Sequence, residues 1–132
     1  MADVRECIEL SVPGAREYLL VIRTALGGVA LLKDLTVDQL DDLRQAADEA
    51  CDCLLHQTHG VQTLHLCAEE AAKGLTVSLW ADFTEAKQSA PTEETTELTQ
   101  AVLETLIPDV TLTTAADGTV SRIDLTLPAA RR

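Results

Sequence analysis

The fold class that this sequence predicts is a two-layer α/β sandwich, with one mostly antiparallel or mixed sheet covered on one face by about three helices. Stretches of alternating apolar and polar residues come in neighbouring pairs along the chain, which is typical of hairpins. Longer stretches with apolar residues at helical spacing separate these pairs. Hydrophobic residues make up 46% of the 132 residues, which is enough for one domain with a sizeable core. The predicted element order is therefore β-α-α-β-β-α-β-β.

The first strand and the first helix are predicted on either side of a Pro13-Gly14 break. Residues 7–12 read CIELSV, whose alternation favours a strand. Residues 16–26 carry leucine, isoleucine and valine at spacings that suit a largely buried helix, and Gly27-Gly28 is expected to end it. The stretch 29–35 stays open between further helix and a turn.

A second, long helix is predicted from a capping signal. Thr36 and Gln39 stand in the S/T-x-x-E/Q arrangement of a capping box, so a helix should begin there and run to about His56. At about 100° per residue, the apolar residues of this segment fall on one stripe, which should pack on the sheet. Glu49, Cys53 and His56 fall together on the opposite side.

The next two elements are predicted to form a hairpin. Residues 62–68 and 75–81 both alternate between apolar and polar side chains, and a short polar stretch separates them. Residues 82–94 are polar and contain Pro91, so they are interpreted as a loop.

A third helix and a second hairpin complete the chain. Residues 95–107 have the apolar spacing of an amphipathic helix, which Pro108 should end. Residues 110–114 and 120–127 alternate on either side of Asp117-Gly118, which favours a tight turn between two strands.

Charge and hydropathy exclude several classes of partner. The net charge of −12, from 22 acidic and 10 basic residues, argues against nucleic acid and against an anionic membrane surface. No apolar run approaches the roughly 20 residues that a membrane span needs, and the polar N-terminus does not resemble a signal peptide. We therefore expect a cytoplasmic protein with reduced thiols, whose cysteines act mostly as small buried hydrophobic residues.

The spacing of cysteines on the second helix limits metal binding. Cys51 and Cys53 would point about 200° apart on a continuous helix, so they cannot hold one ion together. Glu49, Cys53 and His56 share a face and leave a metal-binding module open as an alternative. The leading expectation is that no metal is held by these residues.

The long segment LTVDQLDDLRQAADEAC and the strand LTVSLWADF resemble the anti-sigma factors of the RsbW/SpoIIAB type, which are serine protein kinases of the GHKL superfamily. The resemblance covers almost the whole chain and extends to the IPDV segment and the DGT-containing hairpin. It implies a Bergerat-like ATP-binding fold and a single histidine-kinase-like ATPase domain over residues 1–132.

The same resemblance implies roles for three residues. Glu49 matches the glutamate that helps activate the water or hydroxyl attacking the γ-phosphate. Cys53 stands where the family has a magnesium-binding asparagine, and a neutral thiol is a poor ligand for a hard cation. Asp82 stands where the adenine-binding D-x-G-x-G motif begins, but both glycines are missing. Residues 92–99 match the phosphate-binding loop and carry three glutamates and no glycine. We expect a degraded nucleotide site, with no cofactor or only weak ATP/Mg²⁺ binding.

The function implied by the resemblance is regulation of transcription through protein binding. Such a protein would bind an alternative sigma factor, be released by an antagonist of the STAS type, and form a homodimer through its first strand and helix. The alternative is an active or weakly active serine/threonine protein kinase or ATPase that uses Glu49 and Asp82. A metal-binding module is the third hypothesis.

Overall fold

A computed structural model describes residues 7–71, 74–88 and 93–128, and its elements follow the predicted order. Five strands form one antiparallel sheet in the order β1-β2-β3-β5-β4. The strands are β1 (Cys7–Pro13), β2 (His59–Ala71), β3 (Gly74–Lys87), β4 (Asp109–Thr114) and β5 (Val120–Pro128). The helices are α1 (Leu19–Leu32), α2 (Val37–Leu55) and α3 (Glu93–Leu106), preceded by a 3₁₀ turn at Arg16–Tyr18. This architecture is compatible with the predicted α/β sandwich.

The core lies between the sheet and α2. The predicted stripe on α2 is buried almost completely, because Leu43, Ala47, Ala50, Cys51 and Leu54 are at most 1% exposed. The inward-facing residues of the strands complete the core, and they alternate with outward-facing polar ones as a strand requires. The predicted capping box is confirmed, since Gln39 N–H donates to Thr36 Oγ1 at 3.0 Å and Thr36 N–H donates to Gln39 Oε1 at 2.9 Å.

The prediction that Gly27-Gly28 ends the first helix is wrong, because α1 continues to Leu32. Gly27 instead lies where α1 crosses α2, and a Cβ atom there would meet Nη2 of Arg44 at 2.7 Å. The glycine therefore leaves room for the end of the Arg44 side chain. Two residues after the helix ends, Asp34 takes a positive φ of 55°, and the N–H of Leu35 donates to the carbonyl of Ala30 at 3.0 Å.

The prediction of a largely buried first helix is also wrong for its outer face. Leu20 is 70% exposed, Leu31 is 84% exposed and Leu32 is 72% exposed. Only the residues that face α2 and the sheet, such as Ile22 and Leu26, belong to the core. The sequence of α1 is apolar on every side, so periodicity alone could not tell its two faces apart.

The first hairpin is longer than predicted. Residues 82–87 continue β3 instead of forming a loop, with Phe83 paired to Val61 and Lys87 paired to His59 after register shifts. Polar residues can extend a strand here because that end of the hairpin is largely exposed. The rest of the predicted loop reaches into 89–92, which lie outside the described residues, and α3 begins at Glu93.

The second hairpin forms around the predicted turn. Gly118 has a φ of 88°, which favours glycine, and its N–H bonds the carbonyl of Ala115 at 2.9 Å. In the part of the chain that is described, no helix is both long and apolar enough to cross a membrane.

Candidate functional site

A cavity of about 240 Å³ lies between α2 and α3. Its α2 wall brings together Glu49, Cys53 and His56, which the sequence placed on one helix face, and adds Asp52. Three threonines of α3 form the other wall, so the residues around the cavity are polar or acidic. All three lie within 92–99, the segment that the resemblance matched to a phosphate-binding loop, and in the structure they belong to α3. The residues that line the cavity include Glu49, Asp52, Cys53, His56, Gln57 and Thr99.

Gln57 fixes the end of α2 and with it the floor of this cavity. The residue is 1% exposed, and its Nε2 donates to the carbonyl of Cys53 at 2.7 Å. Its Oε1 accepts from the N–H of Val120 at 2.9 Å, and its own carbonyl accepts from Gln88 at 2.8 Å. A buried amide with these partners ties the last turn of α2 to β5 and to the end of β3.

The thiol of Cys53 is neutral at physiological pH. Its pKa is raised from 9.0 to about 11: burial is the largest cause, a hydrogen bond with Thr99 lowers the pKa, and the negative charge of Glu49 raises it. A protonated thiol is neither a good nucleophile nor a ligand for a hard cation such as Mg²⁺. The position that the family resemblance assigned to magnesium binding therefore offers a weak ligand.

Asp82 is not brought to the cavity. Leu79 and Ala81 are buried towards the helices, and alternation along β3 turns Trp80 and Asp82 to the opposite, solvent-facing side of the sheet. There the carboxylate of Asp82 contacts Nε2 of His65 at 2.7 Å. The alternation LTVSLWAD already carried this information, since it puts residues 75, 77, 79 and 81 on one face. The role of Asp82 in adenine binding remains a prediction without geometric support.

The solvent-facing side of the sheet carries a network around Asp82. Ser11 Oγ lies 2.6 Å from Nδ1 of His65, whose ring stacks on Trp80 with centroids 5.2 Å apart. The guanidinium of Arg122 lies over the same indole, 5.0 Å from its centroid. These contacts join residues directly opposite or diagonal across β1, β2, β3 and β5, so they fasten the strands to one another.

The alternative metal set on α2 gains no support. His56 uses Nδ1 in a 2.7 Å hydrogen bond with the carbonyl of Asp52. Among the residues described, the group of three ligand atoms found within 4.8 Å of one another consists of Cys7, Cys67 and Glu69. Cys7 and Cys67 form a disulfide, which corrects the expectation that these cysteines are buried hydrophobic residues. The pairing requires the register of β1 against β2, which local sequence patterns do not give.

A groove between α1 and α2 is another concave surface, separate from the α2–α3 cavity. Arg23 Nη1 pairs with Asp48 Oδ2 at 3.0 Å, and Arg16 pairs with Asp52. Leu20 lines the same groove and continues into the exposed apolar face of α1. The ion pairs join α1 and the 3₁₀ turn before it to the polar side of α2, while Leu20, Leu31 and Leu32 of α1 stay exposed.

Comparison with known proteins gives partial matches. No protein-family model matches the chain. It is 41% identical over 51 residues to "Serine-protein kinase RsbW" of Bacillus subtilis (strain 168), a match that covers 39% of this chain and 32% of that protein. It is 36% identical over 62 residues to "Anti-sigma-F factor RsbW" of Mycobacterium tuberculosis (strain ATCC 25618 / H37Rv), which covers 47% of this chain and 37% of that protein. The chain thus spans about a third of the length of these curated relatives. Over the matched part, the chain is similar to RsbW proteins, the type that its α2 segment resembles.

Proposed function

We propose that this protein is an anti-sigma factor-like regulator that binds an alternative sigma factor in the cytoplasm and is released by an antagonist of the STAS type. The observation that carries the proposal is the identity of 36–41% to proteins named RsbW, one of which is named an anti-sigma-F factor. In this proposal, residues 1–132 form a single GHKL-like, histidine-kinase-like ATPase domain whose nucleotide site has degraded.

Two properties of the α2–α3 cavity favour binding over catalysis. Its volume of about 240 Å³ is below the range of about 300–1,000 Å³ that is usual for small-molecule pockets. Its lining contains the carboxylates of Glu49 and Asp52, which repel a triphosphate, and the neutral thiol of Cys53, which is a poor magnesium ligand. ATP/Mg²⁺ binding is therefore proposed to be weak or absent.

The outer face of α1 supports the proposal of a homodimer. It carries exposed leucines at both ends, Leu20 near the start and Leu31 and Leu32 at the end, and Gly28 leaves open space between them, with no neighbouring side chain within 4 Å of the position of a Cβ. Such a surface on a soluble domain is typical of a protein–protein contact. The charge of −12 would steer a basic surface of the sigma factor towards the dimer.

The sigma-factor proposal can be tested with purified proteins. Each alternative sigma factor of the source genome is titrated against the protein by calorimetry, with the primary sigma factor as the control. We expect one alternative sigma factor to bind with a Kd of about 1 μM or tighter. A STAS protein from the same genome should release it. Failure of every alternative sigma factor to bind would overturn the proposal.

A weak serine/threonine protein kinase is the second candidate. It is favoured by the position of Glu49 at the cavity, partly exposed, and by the name "Serine-protein kinase RsbW" of a relative. Calorimetry with ATP and Mg²⁺ separates the candidates, because the degraded site should give no magnesium-dependent binding. Phosphate transfer to a serine of the STAS protein that disappears in Glu49→Gln would establish the kinase instead.

A further inference from the structure

Two cysteines and two glutamates meet on the solvent-facing side of the sheet. Cys7 and Glu9 of β1 lie directly opposite Glu69 and Cys67 of β2, in the pairs Cys7–Glu69 and Glu9–Cys67. Residues two apart on a strand point to the same face, so all four side chains emerge together. Cys7 and Glu9 are exposed, while Cys67 and Glu69 are partly buried. This Cys₂Glu₂ cluster is well separated from the α2–α3 cavity, which lies on the other side of the sheet.

The ligand atoms of this cluster lie close together. One ligand atom from each of Cys7, Cys67 and Glu69 lies within 4.8 Å of the other two. Cys7 Sγ also lies 4.0 Å from a carboxylate oxygen of Glu9. Tetrahedral Zn²⁺ binds sulfur at about 2.3 Å and oxygen at about 2.0–2.2 Å, so its two sulfur ligands lie farther apart than the bonded sulfurs of a disulfide. The two sulfurs must therefore separate before they can share one ion.

The redox state of the pair decides whether a metal can bind. In the structure, the two sulfurs form a disulfide between positions whose Cα atoms are 6.5 Å apart, which occupies both ligand atoms. A thiol reductant, as found in a reducing compartment, supplies two electrons and two protons that open this bond, is itself oxidised to a disulfide, and returns two thiols beside the carboxylates of Glu9 and Glu69. Ionising these thiols next to carboxylates is unfavourable without a cation, because the negative charges repel one another. A divalent ion that accepts thiolate ligands, such as Zn²⁺, offsets this repulsion.

We propose that the reduced protein binds one Zn²⁺ through Cys7, Cys67 and Glu69, with the fourth position open to Glu9 or water. Binding displaces the two thiol protons to solvent as the two zinc–thiolate bonds form. The disulfide is the oxidised, metal-free state of the same four residues. Either state fastens the edge strand β1 to β2, and β1 leads directly into α1.

The test is a zinc titration of the full chain, reduced with a phosphine and competed by a chromophoric chelator. One equivalent of Zn²⁺ should bind, and Cys7→Ser or Cys67→Ser should weaken binding by roughly 100-fold or more, because each removes one of two thiolates. Glu69→Gln should weaken it by roughly 10-fold. Cys53→Ser and Glu104→Gln are matched controls, a thiol and a carboxylate far from the cluster, and should change nothing.

A second readout covers variants that fail to fold. In the wild-type chain, Zn²⁺ should protect Cys7 and Cys67 from alkylation, detected by mass spectrometry of peptides, and leave the labelling of Cys53 unchanged. Co²⁺ should give the thiolate-to-metal absorption band in reduced protein and none after oxidation to the disulfide. Absence of stoichiometric zinc in the reduced wild type, or equal loss of binding in Cys53→Ser, would overturn the proposal.

Discussion

The first two helices of this protein, α1 and α2, differ in the side chains that their outer faces expose. The outer face of α2 carries charged and polar side chains, and its apolar residues are gathered in one buried stripe. The outer face of α1 carries leucines that nothing in the described chain covers. The buried apolar side chains of α2 are covered by its own chain, whereas α1 leaves leucines exposed, as the proposed homodimer would require.

The largest effect should come from the buried side of α2. Leu54→Ala removes a fully buried side chain between the helix and the sheet and should lower the free energy of unfolding by about 3 kcal/mol. Leu98→Ala, at a position that is 65% exposed on α3, is the control and should cost under about 1 kcal/mol. Urea denaturation measures both, and equal losses would contradict the assignment of the core.

The buried thiol of α2 should make stability depend on alkaline pH. Burial, with the added charges of Asp48 and Asp52, raises the pKa of Cys51 from 9.0 to about 12. Above pH 9, the unfolded chain loses a proton that the folded chain retains, so stability should fall as pH rises towards 12, by at most about 1.4 kcal/mol per pH unit. Below pH 9 this contribution is fully present.

Cys51→Ala isolates that contribution, because every other titrating group is shared with the wild type. The variant should lose less stability between pH 8 and pH 11 than the wild type does, measured by urea denaturation at each pH. Parallel profiles for the two proteins would show that Cys51 ionises normally in the fold.

The start of α2 should show a smaller effect. Thr36→Ala removes the side-chain acceptor for the N–H of Gln39 and should cost about 1 kcal/mol. Gln39→Ala leaves that bond in place and removes only the reciprocal one, so it should cost less. The midpoint of urea denaturation measures the difference, and the reverse order would contradict the capping geometry.

The outer face of α1 should show the smallest effect on the fold and the clearest effect on assembly. Leu31→Asp changes a side chain that is 84% exposed, so monomer stability should change by less than about 0.5 kcal/mol. If α1 forms the proposed homodimer, the variant should sediment as a monomer where the wild type sediments as a dimer. Leu98→Asp changes another exposed leucine, on α3, and should leave the dimer intact. A wild-type protein that sediments as a monomer at every concentration would contradict the proposed homodimer.

Local patterns in the sequence predicted the elements that depend on nearby residues. The capping box located the start of α2, the apolar stripe identified its buried face, and Asp117-Gly118 located a turn. These features depend on residues within a few positions of one another, so short-range spacing is sufficient to recognise them.

Features that depend on distant residues were missed. Gly27 is explained only by Arg44 on another helix, and the Cys7–Cys67 contact only by the register of β1 on β2. The strand character of residues 82–87 comes from pairing with β2, which overrides their polar composition. The alternation of β3 already predicts that Asp82 faces away from α2 and Glu49. The family resemblance led instead to the prediction that Asp82 binds a nucleotide together with Glu49.

The missing side chain of Gly27 gives the end of Arg44 a place against the backbone of α1. A methyl group at position 27 would lie 2.7 Å from Nη2 of Arg44, so an alanine there would displace the guanidinium. Because the guanidinium is the free end of a flexible side chain, it can move while the two helices keep their packing. The consequence would fall on the groove that Arg44 lines, whose positive charge would be relocated.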